Sequence, residues 1–312
     1  MKSSQLITFR KERELGQIIG DTFKFIRKNG KSLWRLFLRT SMLPFIVLLA
    51  AVAYYTYAST GVNTLSLQPS GVGDYDLGAF IISIIALLLG IIWYSAALYG
   101  SVSEYIKNYV SHEGSPILDE VVTAFKQKMG NYIGLGFAQV LFIIFACILA
   151  FLPGAIIINS SGFMGGILFF AGIFPVIYLA IRWLLVFQTM AHSDTTIVAS
   201  FTESGRLIKD FWWITFATII VQGLLMYAIS IAFQMPLIVY MFAKGIIMAQ
   251  EGSLSDPSSM FDWGFVALQT LSSGISYLMY IILVITHNLI FFNLNERKTQ
   301  SGSLAKIDTL GN

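Results

Sequence analysis

The stretch AFIISIIALLLGIIWYSAALYGSVS, residues 79–103, carries no charged side chain across 25 positions. At 1.5 Å per helical residue it reaches about 37 Å, beyond the roughly 30 Å of a bilayer's hydrocarbon core. Such a segment has no polar face to offer water, and it predicts a transmembrane helix. Further apolar runs occupy 34–58, 132–158, 164–191, 211–243 and 263–293. Composition agrees: hydrophobic residues make up 56% of the 312 positions and charged residues 12%, about half the charged share of a soluble domain. The expected fold class is all-α: a polytopic membrane protein, one membrane domain over 1–312, with six transmembrane helices.

The charged flanks predict orientation. The leader holds Lys2, Arg10, Lys11, Arg13, Lys24, Arg27, Lys28, Lys31, Arg35 and Arg39, and the same side adds Lys107, Lys126, Lys128, Arg206, Lys209, Arg297, Lys298 and Lys306. The opposite loops contain one base, Lys244, beside Asp74, Asp76, Glu251, Asp256 and Asp262. Eighteen bases against one predict, by the positive-inside rule, that both termini are cytoplasmic. The leader is too long and too charged for a cleaved secretory signal, so it is expected to stay in the mature chain. A lone Cys147 allows no intramolecular disulfide and no thiolate metal cluster.

Before each odd-numbered span lies a segment with apolar residues at helical spacing and charges on the other face. The first sets Leu15, Ile18, Ile19, Thr22, Phe23 and Ile26 against Lys11, Glu14, Asp21, Lys24 and Lys28. In the second, Leu118, Val121, Val122, Phe125 and Met129 oppose Asp119, Glu120, Lys126 and Lys128; in the third, Ile197, Val198, Phe201 and Ile208 oppose Glu203, Arg206 and Lys209. Each runs into an aromatic, Trp34, Tyr132 or Phe211-Trp212-Trp213, which predicts the point of entry into the bilayer. Three units are inferred, each an interfacial helix plus a transmembrane hairpin: 11–110, 115–191 and 194–293, followed by a cytoplasmic tail, 294–312. The plainer alternative is that polytopic proteins often carry amphipathic linkers.

Two segments, Ser204-Gly205-Arg206-Leu207-Ile208-Lys209-Asp210-Phe211-Trp212 and Phe292-Asn293-Leu294-Asn295-Glu296-Arg297-Lys298, resemble motifs of the membrane domain of bacterial glycerophosphoryl diester phosphodiesterases. The resemblance implies a bacterial inner membrane and a repeat of helical hairpins. It does not bring the phosphodiesterase activity, which in that family belongs to a separate soluble barrel.

Ionisable groups inside a bilayer mark function by default. Arg182 in the fourth span and Glu104 near the end of the second are expected to neutralise each other if their spans touch, or else to snorkel separately to headgroups. His287, in the sixth span, has no carboxylate companion for a proton relay. No nucleotide loop, nucleophile elbow or metalloprotease His-Glu pair occurs. The sequence therefore predicts no catalytic residue, cofactor or metal, and no enzyme. Gly130-x-x-x-Gly134 and Gly162-x-x-x-Gly166 predict close helix approach. The basic leader is expected to seek anionic headgroups in preference to nucleic acid, at about 1 kcal/mol per base near the surface.

The leading expectation is a non-enzymatic inner-membrane scaffold or accessory subunit of a larger complex in protein export or envelope biogenesis. It would dock lipids and other membrane proteins through Leu15, Ile19, Phe23, Val122, Phe125, Val198 and Phe201. The rival is a transporter or lipid-handling protein, favoured by helices broken at Pro44, Pro153, Pro175 and Pro236.

Overall fold

A computed structural model describes residues 7–67, 76–251 and 261–300. Lys2, Asp74, Asp256 and Lys306, used above for orientation, lie outside the described residues, as do the side chain of Glu251 and the tail beyond Gln300. No strand occurs among the described residues. The elements are α1 (Leu15–Thr40), α2 (Met42–Leu67), α3 (Leu77–Ser111), α4 (Leu118–Ile157), α5 (Gly162–Arg182), α6 (Val186–Ser193), α7 (Ile197–Ile208), a 3-10 turn (Lys209–Phe211), α8 (Trp212–Glu251) and α9 (Trp263–Thr299). Six stretches are long and apolar enough to cross a membrane, and they lie in α2, α3, α4, α5–α6, α7–α8 and α9. The chain is an all-helical membrane protein.

The amphipathic segments take three local forms. α1 is a separate helix, ended by a turn at Ser41. Its start is fixed by Gln17, whose side chain accepts from the Glu14 backbone N–H at 3.4 Å, the reach-back half of a capping box. The second segment has no boundary at Asn131-Tyr132, because α4 runs unbroken for 40 residues, or about 60 Å. The third is set off from α8 by the 3-10 turn. The helices also run through Pro153, Pro175 and Pro236, and Pro44 sits in the first turn of α2, where a missing N–H costs nothing. The breaks expected at these prolines do not occur. The break that does occur falls at Trp183–Leu185, between α5 and α6.

The chain forms two compact units, which cut across the three segments read from the sequence. Unit 1 comprises Met1–Thr40, Ser95–Val221 and Ile281–Asn312, and unit 2 comprises Ser41–Tyr94 and Gln222–Tyr280. Unit 1 holds a core of Ala96 and Ala97 from α3, Phe125, Tyr132 and Leu135 from α4, Val186, Phe187, Met190 and Ala191 from α6, and Phe201 from α7. Gly100 makes room for it: a Cβ there would stand 2.7 Å from the Tyr132 ring. The α4–α5 hairpin closes through Gly154, Gly165 and Gly172, where an added Cβ would meet backbone of the opposite helix at 2.5–2.8 Å. Small residues let membrane helices approach in this way. Of the four glycines expected to do so, Gly134 lies close under Ile197 of α7, 3.1 Å from an added Cβ, whereas Gly130, Gly162 and Gly166 have nothing within 4 Å.

In unit 2, Gly90 lies over Leu48 of α2 and Gly274 against Leu49. The Tyr94 hydroxyl donates to the Tyr277 carbonyl at 2.8 Å. Asp262 caps α9 by accepting from the Phe265 N–H, and it also accepts from the Tyr240 hydroxyl at 2.5 Å and the Lys244 ammonium at 2.7 Å. Lys244, the one base on its side of the sequence, is thus held by an acid.

Candidate functional site

The polar groups of unit 1 concentrate where α3, α4, α6, α7 and α9 come together. Glu104 is 4% exposed. Its carboxylate accepts from the Tyr132 hydroxyl at 2.7 Å and the Lys128 ammonium at 3.1 Å. Lys128 also donates to Asp194, and Lys107 donates to Asp194 at 2.7 Å and to the Ala191 carbonyl at 2.9 Å. Two acids and two bases therefore form one neutral chain across α3, α4 and the end of α6. Asp194 has a φ of 48°, the left-handed conformation that Asp tolerates better than most residues and that ends helices. Burial alone would raise its carboxyl. The hydrogen bonds and charges of Lys107 and Lys128 outweigh that and hold it below the ordinary carboxylate range.

The expected pairing of Glu104 with Arg182 is replaced by this network. Physically, α5 stops at Arg182 and the chain turns, so Arg182 faces α7 while Glu104 faces α4. The turn is stitched by one hydroxyl: Ser204 donates to the Arg182 carbonyl at 2.9 Å and accepts from the Leu185 N–H at 3.2 Å. Next to it, Gly205 leaves space for the Arg182 side chain, whose Nε would lie 2.7 Å from a Cβ. Downstream, Lys298 donates to Asp210 at 2.8 Å, and the Arg297 guanidinium lies 5.6 Å over the Phe211 ring. The segments 204–212 and 292–298 thus meet each other.

The leader is built into unit 1. Phe9 is 2% exposed, enclosed by the rings of Phe25, Tyr109 and Phe292 at 5.3–5.8 Å. Arg13 is also buried. Its backbone N–H donates to Asn293 at 2.7 Å, and its guanidinium donates to Asp21 and to the Phe9, Lys11 and Thr8 carbonyls. Burial pushes the Asp21 carboxyl up, but Arg13 and Lys24 bring it below its usual range. One base assigned to lipid attraction is therefore structural. Close by, His192 and Asn288 pair at 2.8 Å. Asn288 donates through Nδ2 to Ser103 and to the Val284 carbonyl, so its Oδ1 is the acceptor and His192 Nε2 carries the proton. His287 is buried, with Tyr99 at 3.4 Å.

The residues expected to dock divide. Phe125 and Phe201 are core, 2% and 8% exposed, and cannot reach a partner. Val198 is 72% and Phe23 41% exposed, while Leu15, Ile19 and Val122 are half-buried. α1 has three faces. Ile18, Thr22, Phe25, Asn29, Leu33 and Leu36 point inward, with Thr22 on Thr286 at 3.0 Å. Phe23, Trp34 and Leu38 form an exposed apolar strip, and Lys24, Arg27, Lys28, Lys31 and Arg35 form an exposed basic strip beside it. The α4–α5 hairpin is barely covered. Only 6% of α4's apolar stretch is buried, against 50% in α9.

A cavity of about 340 Å3 opens next to the ion network, lined by Arg10, Lys107, Ser111, His192, Glu203, Asn295 and neighbouring side chains. Among the described residues, no group of three or more His, Cys, Asp or Glu side chains is gathered for a metal. Asp194 and Phe9 carried no assignment from the sequence, and Arg13 was read there only as one of the leader bases. The polar run His192-Ser193-Asp194-Thr195-Thr196 was the available signal for a turn. No family model matches this chain, and neither a curated protein nor a solved structure matches it.

Proposed function

We propose that this chain is a non-enzymatic scaffold or accessory subunit of a larger complex in the bacterial inner membrane, acting in protein export or envelope biogenesis with both termini cytoplasmic. The observation that carries this reading is the α4–α5 hairpin. Its two helices pack on each other through glycines, while Leu141, Phe145, Phe170 and Phe174 are each at least 60% exposed. Beside it, the charges of unit 1 spend themselves on joining helices, which supports a rigid platform more than a reaction centre. The apolar and basic strips of α1 suit an anionic membrane surface, where such a helix lies in the interface plane. The resemblance of 204–212 and 292–298 to the phosphodiesterase membrane domain is compatible with this placement, and so is an origin in three repeated hairpins.

Purification of the full chain from its native membrane in mild detergent tests the proposal. A protein partner in fixed stoichiometry is expected. A chain that purifies alone with bound lipid would contradict it and favour the second reading, a lipid-handling protein, which the polar cavity beside Lys107 supports.

A further inference from the structure

We infer that the cavity between the leader and the end of α9 is a binding site for a phosphate group, supplied by a lipid headgroup or by a free phosphate compound. The inference does not depend on the scaffold reading. The two cations on the wall differ in commitment. Lys107 gives two of its three protons to Asp194 and the Ala191 carbonyl, and the third remains available. Arg10 is exposed and has no hydrogen-bond or ion-pair partner among the described residues. The acid on the wall, Glu203, is already neutralised by Arg206, which donates to it from two nitrogens at 2.8 and 2.6 Å. The charge left over at the cavity is therefore positive, and its source is the guanidinium, whose planar fork matches phosphate oxygens.

The remaining wall suits the same ligand. Ser193 and Asn295 supply neutral donors, and Phe291 and Phe292 supply an apolar side. The Ser111 hydroxyl gives its proton to the Lys107 carbonyl at 3.0 Å and faces the cavity as an acceptor. His192 Nε2–H is taken by Asn288, so a neutral ring offers Nδ1 as an acceptor for a hydroxyl on the phosphate or on the group that it esterifies. The ring is held in place by stacking on Phe291 at 5.0 Å and by the edge of Phe292 at 4.7 Å. Small-molecule sites begin at about 300 Å3. This cavity is large enough for a phosphate and a small substituent, but not for an acyl chain.

The test uses the full chain in a neutral detergent, titrated with inorganic phosphate in one arm and with short-chain phosphatidic acid in the other, and read by the shift in thermal unfolding. Saturable stabilisation is expected in at least one arm. Arg10→Gln should weaken it roughly tenfold, the loss of one charge-assisted hydrogen bond. Asn295→Ala should weaken it less. Lys11→Gln, an exposed base outside the cavity wall, should leave it unchanged. Saturation with phosphate assigns a free phosphate compound, and saturation with the lipid alone assigns a headgroup. No saturable shift in either arm, or an equal loss in Arg10→Gln and Lys11→Gln, would overturn the site.

Discussion

The Tyr132 hydroxyl donates a 2.7 Å hydrogen bond to the buried Glu104 carboxylate and so joins α4 to α3 inside unit 1. Tyr132→Phe keeps the ring in the core but removes the donor. The expected loss of stability in detergent is about 1.5–3 kcal/mol, typical of a hydrogen bond to a charged group. In a double-mutant cycle with Glu104→Gln, the two effects should couple by more than about 0.5 kcal/mol. Additive losses would mean that the bond does not form.

Two glycine substitutions should act in opposite directions. Gly100→Ala places a methyl against the Tyr132 ring, 2.7 Å from its nearest atom, and should cost about 1–3 kcal/mol by overpacking. Gly130→Ala meets nothing within 4 Å and lies inside a helix, so it should stabilise by about 0.5–1 kcal/mol. Thermal unfolding of both variants under one condition decides. A loss at Gly130 would restore the close helix approach read there from the sequence.

Acid should weaken unit 1 through Asp194. Its folded-state carboxyl titrates below the ordinary value of 3.8, so its contribution is fully present above that value and is lost as pH falls through the lower, folded one. Asp194→Asn keeps a side chain that tolerates the left-handed backbone but cannot bind Lys107 or Lys128 ionically. Stability measured from pH 6 down to about 3 should fall less steeply in Asp194→Asn than in the parent chain. Identical slopes would show that Asp194 is not held by the two lysines.

Orientation is open to labelling in a Cys147→Ser background. Ser160→Cys, exposed between α4 and α5, should react with an impermeant thiol reagent added to intact cells. Glu113→Cys, exposed between α3 and α4, should react only after lysis. The reverse pattern would overturn the assignment of cytoplasmic termini.

What the sequence made legible was the part that depends on local composition. Six apolar stretches and the basic, amphipathic α1 follow from side-chain periodicity alone. The boundary at Trp183–Leu185 was not legible, because it contains neither glycine nor proline and is held by Ser204, nineteen positions beyond Leu185. Arg13 read as one of ten leader bases, since its partner Asn293 lies 280 positions away. Glu104 was recognised as needing a partner, but the choice of Lys128 over Arg182 depends on Lys128 and Tyr132 lying one turn apart on a single continuous α4, so that both reach the carboxylate. Gly130 weakens the helix there without ending it, and the expected turn rested on Tyr132, an aromatic that went to the core. Phe125 and Phe201 were assigned to docking for the same reason: periodicity shows an apolar face, not whether protein or lipid covers it.

Docking of a partner protein on the α4–α5 hairpin, as proposed, is open to site-specific photocrosslinking in native membranes. A photoreactive residue replaces Leu141, Phe145 or Phe170 on the hairpin and, for comparison, Leu224 on α8, all more than half exposed. The hairpin positions should give a discrete protein adduct of one size that Leu224 does not give. Lipid adducts alone at every position, with no protein adduct at the hairpin, would contradict it.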